Sequence, residues 1–265
     1  YMETVPLLGY YDEGNRQAAS WQIKWLVEHG VDFQTFCFFT PTGLGSEPMA
    51  MPYAGEGLSA YLASPYSESL KFNILWENSA APCTGSAQFR QVIVPYWAEH
   101  YLKDERYLKV DGRPVISIYS YDALLEAFGS REGVKAELDY LDGVCKELGY
   151  PGVKLLISYS GADQQTMEDL QYVGFDERFV YTWGADSASE QRQKERLLSQ
   201  AAAGMPAIPT VSMGRDESPW GGMRGGYLKP QEVESLLLWA RESLMPTEKG
   251  LGQQMLFLDN WNEFG

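Results

Sequence analysis

Val153 to Thr182, VKLLISYSGADQQTMEDLQYVGFDERFVYT, contains one complete repeat of the fold. Its opening run, KLLISY, is apolar without clean alternation, the pattern of a strand covered on both faces. A short helix is predicted over Gln164–Val173, and Arg178–Thr182 reads as the next strand. A strand, a crossover helix and a second strand of this kind pair in parallel.

The same unit recurs on either side. Strands are predicted at Val5–Tyr10, Asp32–Phe39, Lys71–Trp76 and Val115–Tyr119 before it, and at Ala207–Met213 and Met255–Asp259 after it. Between them lie an amphipathic helix carrying Trp21, Ile23, Trp25, Leu26 and Val27 that stops at His29-Gly30, and a helix from Phe89 to about Tyr101. Further helices run from Ala123 to Leu148 with a break at Gly129, from Ser187 to Ala203, and from Pro230, well suited to a first helical position, to Leu244. Asp111-Gly112 is a strong turn signal, and Gly-rich loops are predicted over 41–57 and 214–226. Eight such strands in 265 residues favour an α/β fold of the (β/α)₈ TIM-barrel type, for which about 250 residues is typical. An open doubly wound sheet would carry a phosphate-binding glycine loop after the first strand, where this chain has Tyr10-Tyr11-Asp12-Glu13-Gly14. The last barrel helix is missing and the first residue is Tyr1, so residues 1–265 are expected to be a single catalytic domain cut from a longer protein.

A net charge of −15 repels phosphate backbones and anionic lipids, which excludes nucleic acid as an expected partner; no apolar run is long enough to span a membrane. Three widely spaced cysteines, Cys37, Cys83 and Cys145, give neither a disulfide framework nor a metal pattern. There are two histidines. His29 reads as a helix C-terminal group and His100 as a helix residue away from the strand ends. Triad chemistry therefore lacks a base, a catalytic zinc site lacks its usual ligands, and no cofactor is expected. Carboxylates remain.

Active sites of this fold class lie just past the strands. The residues there are Tyr10, Tyr11 and Asp12; Trp76, Glu77 and Asn78; Tyr119; Tyr159; Trp183; Arg215 and Asp216 with Trp220 in the loop; and Trp261, Asn262 and Glu263. The set is aromatic and acidic. Aromatic rings stack on the apolar faces of sugars, and paired carboxylates supply the acid and the base that glycoside cleavage needs. Glu263, flanked by Trp261 and Phe264 behind an apolar strand, is the first catalytic candidate, and Glu77 the second. Taken singly, several have a plainer reading: Tyr119 and Tyr159 as core caps, Asp12 as a helix cap.

The ordered segments resemble glycoside hydrolase family 99, the endo-α-mannosidase family, and its WbsX-like relatives. The resemblance rests on Trp261-Asn262-Glu263-Phe264-Gly265, Leu75-Trp76-Glu77-Asn78, the run YLKVDGRPVI over Tyr107–Ile116, Gly9-Tyr10-Tyr11-Asp12 with the helix and strand that follow, and Met213–Asp216. It implies a TIM barrel, no cofactor and a retaining cleavage of an α-linked glycan. In that family two glutamates three residues apart act after the eighth strand, the first assisting the sugar's 2-hydroxyl and the second serving the leaving group. Carried over, Glu263 takes the first role. The resemblance also leaves a transferase of polysaccharide synthesis and a non-catalytic glycan-binding barrel as alternatives. An oligo- or polysaccharide partner and a secreted, periplasmic or cell-surface location are expected.

Overall fold

The computed structural model describes residues 6–40, 55–181, 187–215, 226–259 and 261. They fall into two compact units, Tyr1–Leu156 with Tyr172–Gly174, and Ile157–Gln171 with Phe175–Gly265.

The first unit opens differently from the predicted strand at Val5–Tyr10. Its described part, residues 6–10, is a turn closed by Gly9 N–H donating to Pro6 O at 2.8 Å. Proline lacks an N–H for a sheet ladder, and Gly9 takes a positive φ of 71°. Helix α1 (Arg16–Glu28) follows, its N-cap Asn15 accepting from the backbone of Gln17 and Ala18. It ends at His29, whose Nδ1 lies 2.8 Å from Trp25 O, the helix-terminal place expected for it. Strand β1 (Phe33–Phe39) and helix α2 (Glu56–Leu62) lead to strand β2 (Lys71–Glu77). β1 and β2 pair in parallel along their whole length, with Phe38 opposite Trp76 and Phe39 opposite Glu77.

The next helix, 86–102, is a composite. It consists of α3 (Ser86–Gln88), a π-helical segment (Phe89–Ile93), α4 (Val94–Trp97) and a second π segment (Ala98–Leu102). A two-residue hairpin then joins β3 (Lys109–Val110) to β4 (Arg113–Ile118). Its central residues Asp111 and Gly112 have φ of 52° and 73°, the pair of positive values that favours Asp-Gly there. β4 pairs in parallel with β2, Trp76 lying opposite Ile118. Helix α5 (Tyr121–Phe128) ends on left-handed Gly129, and Ser130 caps α6 (Arg131–Glu147), so the predicted break is real.

Odd-numbered and even-numbered residues of β1, β2 and β4 face opposite ways, as the two-residue period of a strand requires. Even positions meet the helices. Phe36 and Phe72 pack on Tyr61 of α2, Phe38 stands edge-on to Trp97, and Trp76 stacks on Phe89 at 5.5 Å and meets Trp97 edge-on at 5.3 Å. Odd positions form the other face. There Thr35 Oγ1 donates to Asn73 Oδ1 at 2.8 Å and Asn73 Nδ2 to Ser117 Oγ at 3.5 Å, a polar ladder across three strands.

Strand β5 (Lys154–Ser158) passes into the second unit. Helix α7 (Gln164–Val173) has the predicted bounds; Asp163 Oδ2 accepts from Thr166 N–H and Oγ1 at its start. Strand β6 (Glu177–Phe179) is shorter than predicted, and helix α8 (Glu190–Ala201) is capped by Ser189. The predicted seventh strand is two pieces, β7 (Ala207–Ile208) and β8 (Thr210–Ser212), divided at Pro209, which has no N–H to give. β7 pairs in parallel with β6, and β8 in parallel with β11 (Phe257–Asp259). A small antiparallel pair, β9 (Gly214–Arg215) with β10 (Gly226–Tyr227), precedes α9 (Pro230–Trp239), which runs on into a π segment (Ala240–Leu244). Val211, Leu228 and Leu236 make the core beneath α9.

A buried ionic group sits at the start of β6. Arg178, fully buried, donates to the carbonyls of Met205, Tyr159, Gly161 and Gln200. Glu177 accepts from Leu251 N–H with both carboxylate oxygens, at 3.0 and 2.9 Å. Burial raises the Glu248 carboxyl above its ordinary value, with the Arg178 charge opposing the shift and Glu177 reinforcing it. Its folded pKa is therefore higher than its unfolded one. The contribution to stability is present below the ordinary glutamate value and is lost as pH rises through the raised one. Glu248→Gln should match the wild type in acid and exceed it increasingly towards neutral pH, as read by thermal melts from pH 4 to 8; parallel melting curves would remove Glu248 from this role.

Candidate active site

In the first unit, the C-terminal ends of the odd faces place Phe39, Glu77 and Tyr119 side by side, each half-buried. Tyr119 N–H donates to Trp76 O at 3.0 Å, continuing the ladder one residue past β4. The Glu77 carboxylate is oriented by its own turn. Oε2 accepts from Ala80 N–H at 2.9 Å, and Oε1 from Ser79 N–H at 3.3 Å and from the Ser79 hydroxyl. A carboxylate has about four acceptor positions, so Oε1 is filled by its two bonds and Oε2 keeps a lone pair.

Its two neighbours have other roles. Trp76 belongs to the even face and is 0% exposed, so it offers no ring to a sugar, contrary to its place among the expected stacking residues. Its indole Nε1–H donates to Thr40 Oγ1 at 2.9 Å, bracing the end of β1 from behind. Asn78, also buried, spends its amide on one residue: Nδ2 donates to Ser120 O and Oδ1 accepts from Ser120 N–H, both at 2.8 Å. It clasps the turn after β2 to the turn after β4 in place of the expected sugar hydroxyl. Ser120 in turn caps α5 through Ala123 N–H. Asn78→Ala leaves both backbone groups of Ser120 without their partner and is expected to cost about 1–3 kcal/mol. Urea denaturation checks this, and an unchanged midpoint would show that water replaces the clasp.

Tyr10, Tyr11 and Asp12 lie ahead of α1. Tyr10 is 82% exposed, Tyr11 accepts from Gln22 Nε2 at 2.7 Å through its hydroxyl, and Asp12 Oδ1 accepts from Gly14 N–H at 2.7 Å. Asp12 thus closes an Asx turn one step before the cap, and Asn15 does the capping.

In the second unit, Tyr159 follows β5, its N–H donating to Phe179 O, with its ring lying over Gly161. Phe179 packs on Tyr181 and on Phe257 at 6.0 and 5.2 Å. Ser212 lies opposite Asp259 in the β8–β11 register. Buried Gln193 of α8 brackets Ser212, donating to its carbonyl and accepting from its N–H. Arg215 is buried at 8% exposure and Trp261 half-buried. Trp183, Asp216, Trp220, Asn262 and Glu263 lie outside the described residues.

Asp259 escaped the sequence reading. It is a carboxylate 5% exposed at the last position of β11. Its signal is an acid closing the apolar run Met255–Leu258. Among the described residues no cluster of His, Cys, Asp and Glu could hold a metal ion, and no helix is long and apolar enough to cross a membrane.

Mostly parallel strands joined by flanking helices, with polar and aromatic side chains at the strands' C-terminal ends, make this an α/β protein with the arrangement of the (β/α)₈ TIM-barrel class. The sequence matches no known family profile and no curated protein. Among solved structures the chain is similar in fold to the GH99 endo-α-mannosidase of Bacteroides thetaiotaomicron in complex with bis-tris-propane, at 13% identity and a TM-score of 0.61, over 98% of this chain and 74% of that one. A second structure of the GH99 endo-α-mannosidase from the same organism matches at 12% identity and a TM-score of 0.60, over 98% and 71%.

Proposed function

We propose that the chain is a glycoside hydrolase that cleaves α-linked glycans by carboxylate acid–base chemistry with retention of configuration. The observation that carries this reading is the row Phe39, Glu77 and Tyr119. An oriented carboxylate stands between two half-buried aromatic side chains at the C-terminal edge of parallel strands. Such a row suits a sugar, whose ring face is apolar and whose rim bears hydroxyls. The fold it sits on is shared, over nearly the whole chain, with endo-α-mannosidase structures.

In this reading Glu263 is the catalytic glutamate that assists the attacking hydroxyl, as the family resemblance assigns it. Glu77 is a second carboxylate that touches the glycan. Tyr119, Tyr159, Arg215 and Trp261, with Trp183, Asp216, Trp220 and Asn262, bind sugar, and Asp259 joins them. α-Mannosides are the first substrates to try. The test is a panel of α-linked oligosaccharides, mannosides included, incubated with the protein and resolved by product chromatography. Release of shorter products with α-configured ends supports the reading. Binding without cleavage anywhere in the panel would sink it in favour of a glycan-binding barrel.

A further inference from the structure

A groove of about 730 Å³ lies on the first unit between the solvent face of α1 and the turn 65–69. It is remote from Glu77. The turn precedes β2 and Glu77 ends it, so the strand's length, about 20 Å, separates them. Trp21 is 49% and Tyr66 60% exposed, and both line this groove. Gln17, Ser20 and Ser69 supply polar groups beside them. Its volume is in the range of about 300–1,000 Å³ in which small ligands are held.

Charge selects the ligand. Lys24 is matched by Glu28, Nζ to Oε1 at 2.5 Å, and its ammonium lies 5.7 Å from the Trp21 ring centre. Arg16, the other cation of the groove, has no carboxylate partner among the described residues. On a chain of net charge −15, a guanidinium lining the same groove as the partly exposed Trp21 and Tyr66 is a local site for an anion with an apolar face. A guanidinium takes a carboxylate by two parallel hydrogen bonds. We propose that this groove is a second saccharide site, separate from the strand ends, that binds a glycan bearing carboxylates, such as a uronate chain. Trp21 and Tyr66 stack on sugar rings, and Arg16 holds the carboxylate. A second copy of this chain is the poorer occupant, since two surfaces of net charge −15 repel each other.

The proposal rests on the glycan-active reading above only in the choice of a sugar ligand. Affinity electrophoresis of the full chain through gels holding polygalacturonate or neutral α-mannan tests it. Retardation by polygalacturonate is expected to weaken about tenfold or more in Trp21→Ala and in Tyr66→Ala, both checked for folding by circular dichroism. Arg16→Gln should lose the preference for polygalacturonate over α-mannan. Cleavage of a short neutral oligosaccharide should be unchanged in all three variants. Equal retardation of wild type and Trp21→Ala, or none of the wild type, overturns the proposal. So does a dimer in sedimentation that Trp21→Ala dissociates, which would assign the groove to a second copy. Absence of any cleavage with retardation intact would defeat the proposed hydrolase and leave the groove standing.

Discussion

Glu263→Gln should lower turnover by about 10²-fold or more on whichever α-linked glycan the protein cleaves, while glycan affinity stays within a few-fold. The amide keeps the size and the hydrogen-bonding reach of the carboxylate but can no longer accept a proton. A group that acts only in the transition state is felt in kcat and little in KM. Single-turnover rates beside binding isotherms separate the two. Undiminished turnover would move the chemistry to another carboxylate. Glu77 and Asp259 are the described ones at strand ends, and the corresponding amide variants would be next.

The largest expected effect on stability is at Trp76. Trp76→Ala should cost about 3–5 kcal/mol, the range for deleting a large aromatic from a packed core. The residue is fully buried, stacked on Phe89 and edge-on to Trp97, so alanine would leave a void lined by rings with few ways to collapse. Trp76→Phe refines the prediction. It restores most of the packing but not the Nε1–H bond to Thr40 Oγ1, and should recover the larger part of the loss. Urea denaturation reads both. Were Trp76 a sugar platform, the alanine variant would instead keep its stability and lose glycan affinity.

The pair Trp76 and Glu77 shows how far the sequence could be read. The run Leu75-Trp76-Glu77-Asn78 identified a strand end with polar and aromatic residues, and the strand is there. Treating the neighbours as one cluster ignored the strand's period, which sends Trp76 to the helices and Glu77 to the opposite face. Asn78 lies past the strand in a turn, where the partner of an amide depends on a segment 42 residues away. That pairing has no local signature. Local chemistry was legible where one residue decides the backbone: Asp111-Gly112 for the hairpin, Gly129 for the helix break, Pro230 for a helix start. The predicted strands at Val5–Tyr10 and Ala207–Met213 went astray at Pro6 and Pro209, where the apolar pattern continues but the ladder lacks a donor.

The division between even and odd residues of β1, β2 and β4 has a practical corollary for redesign. Variation confined to odd positions at the strand ends, Phe39, Glu77 and Tyr119, can explore new substrates on an intact scaffold. The same diversity at Phe38, Trp76 or Ile118 would mostly yield chains that do not fold. A single-residue deletion inside Lys71–Glu77 would exchange the two roles at once, so length changes are tolerable only in the connections.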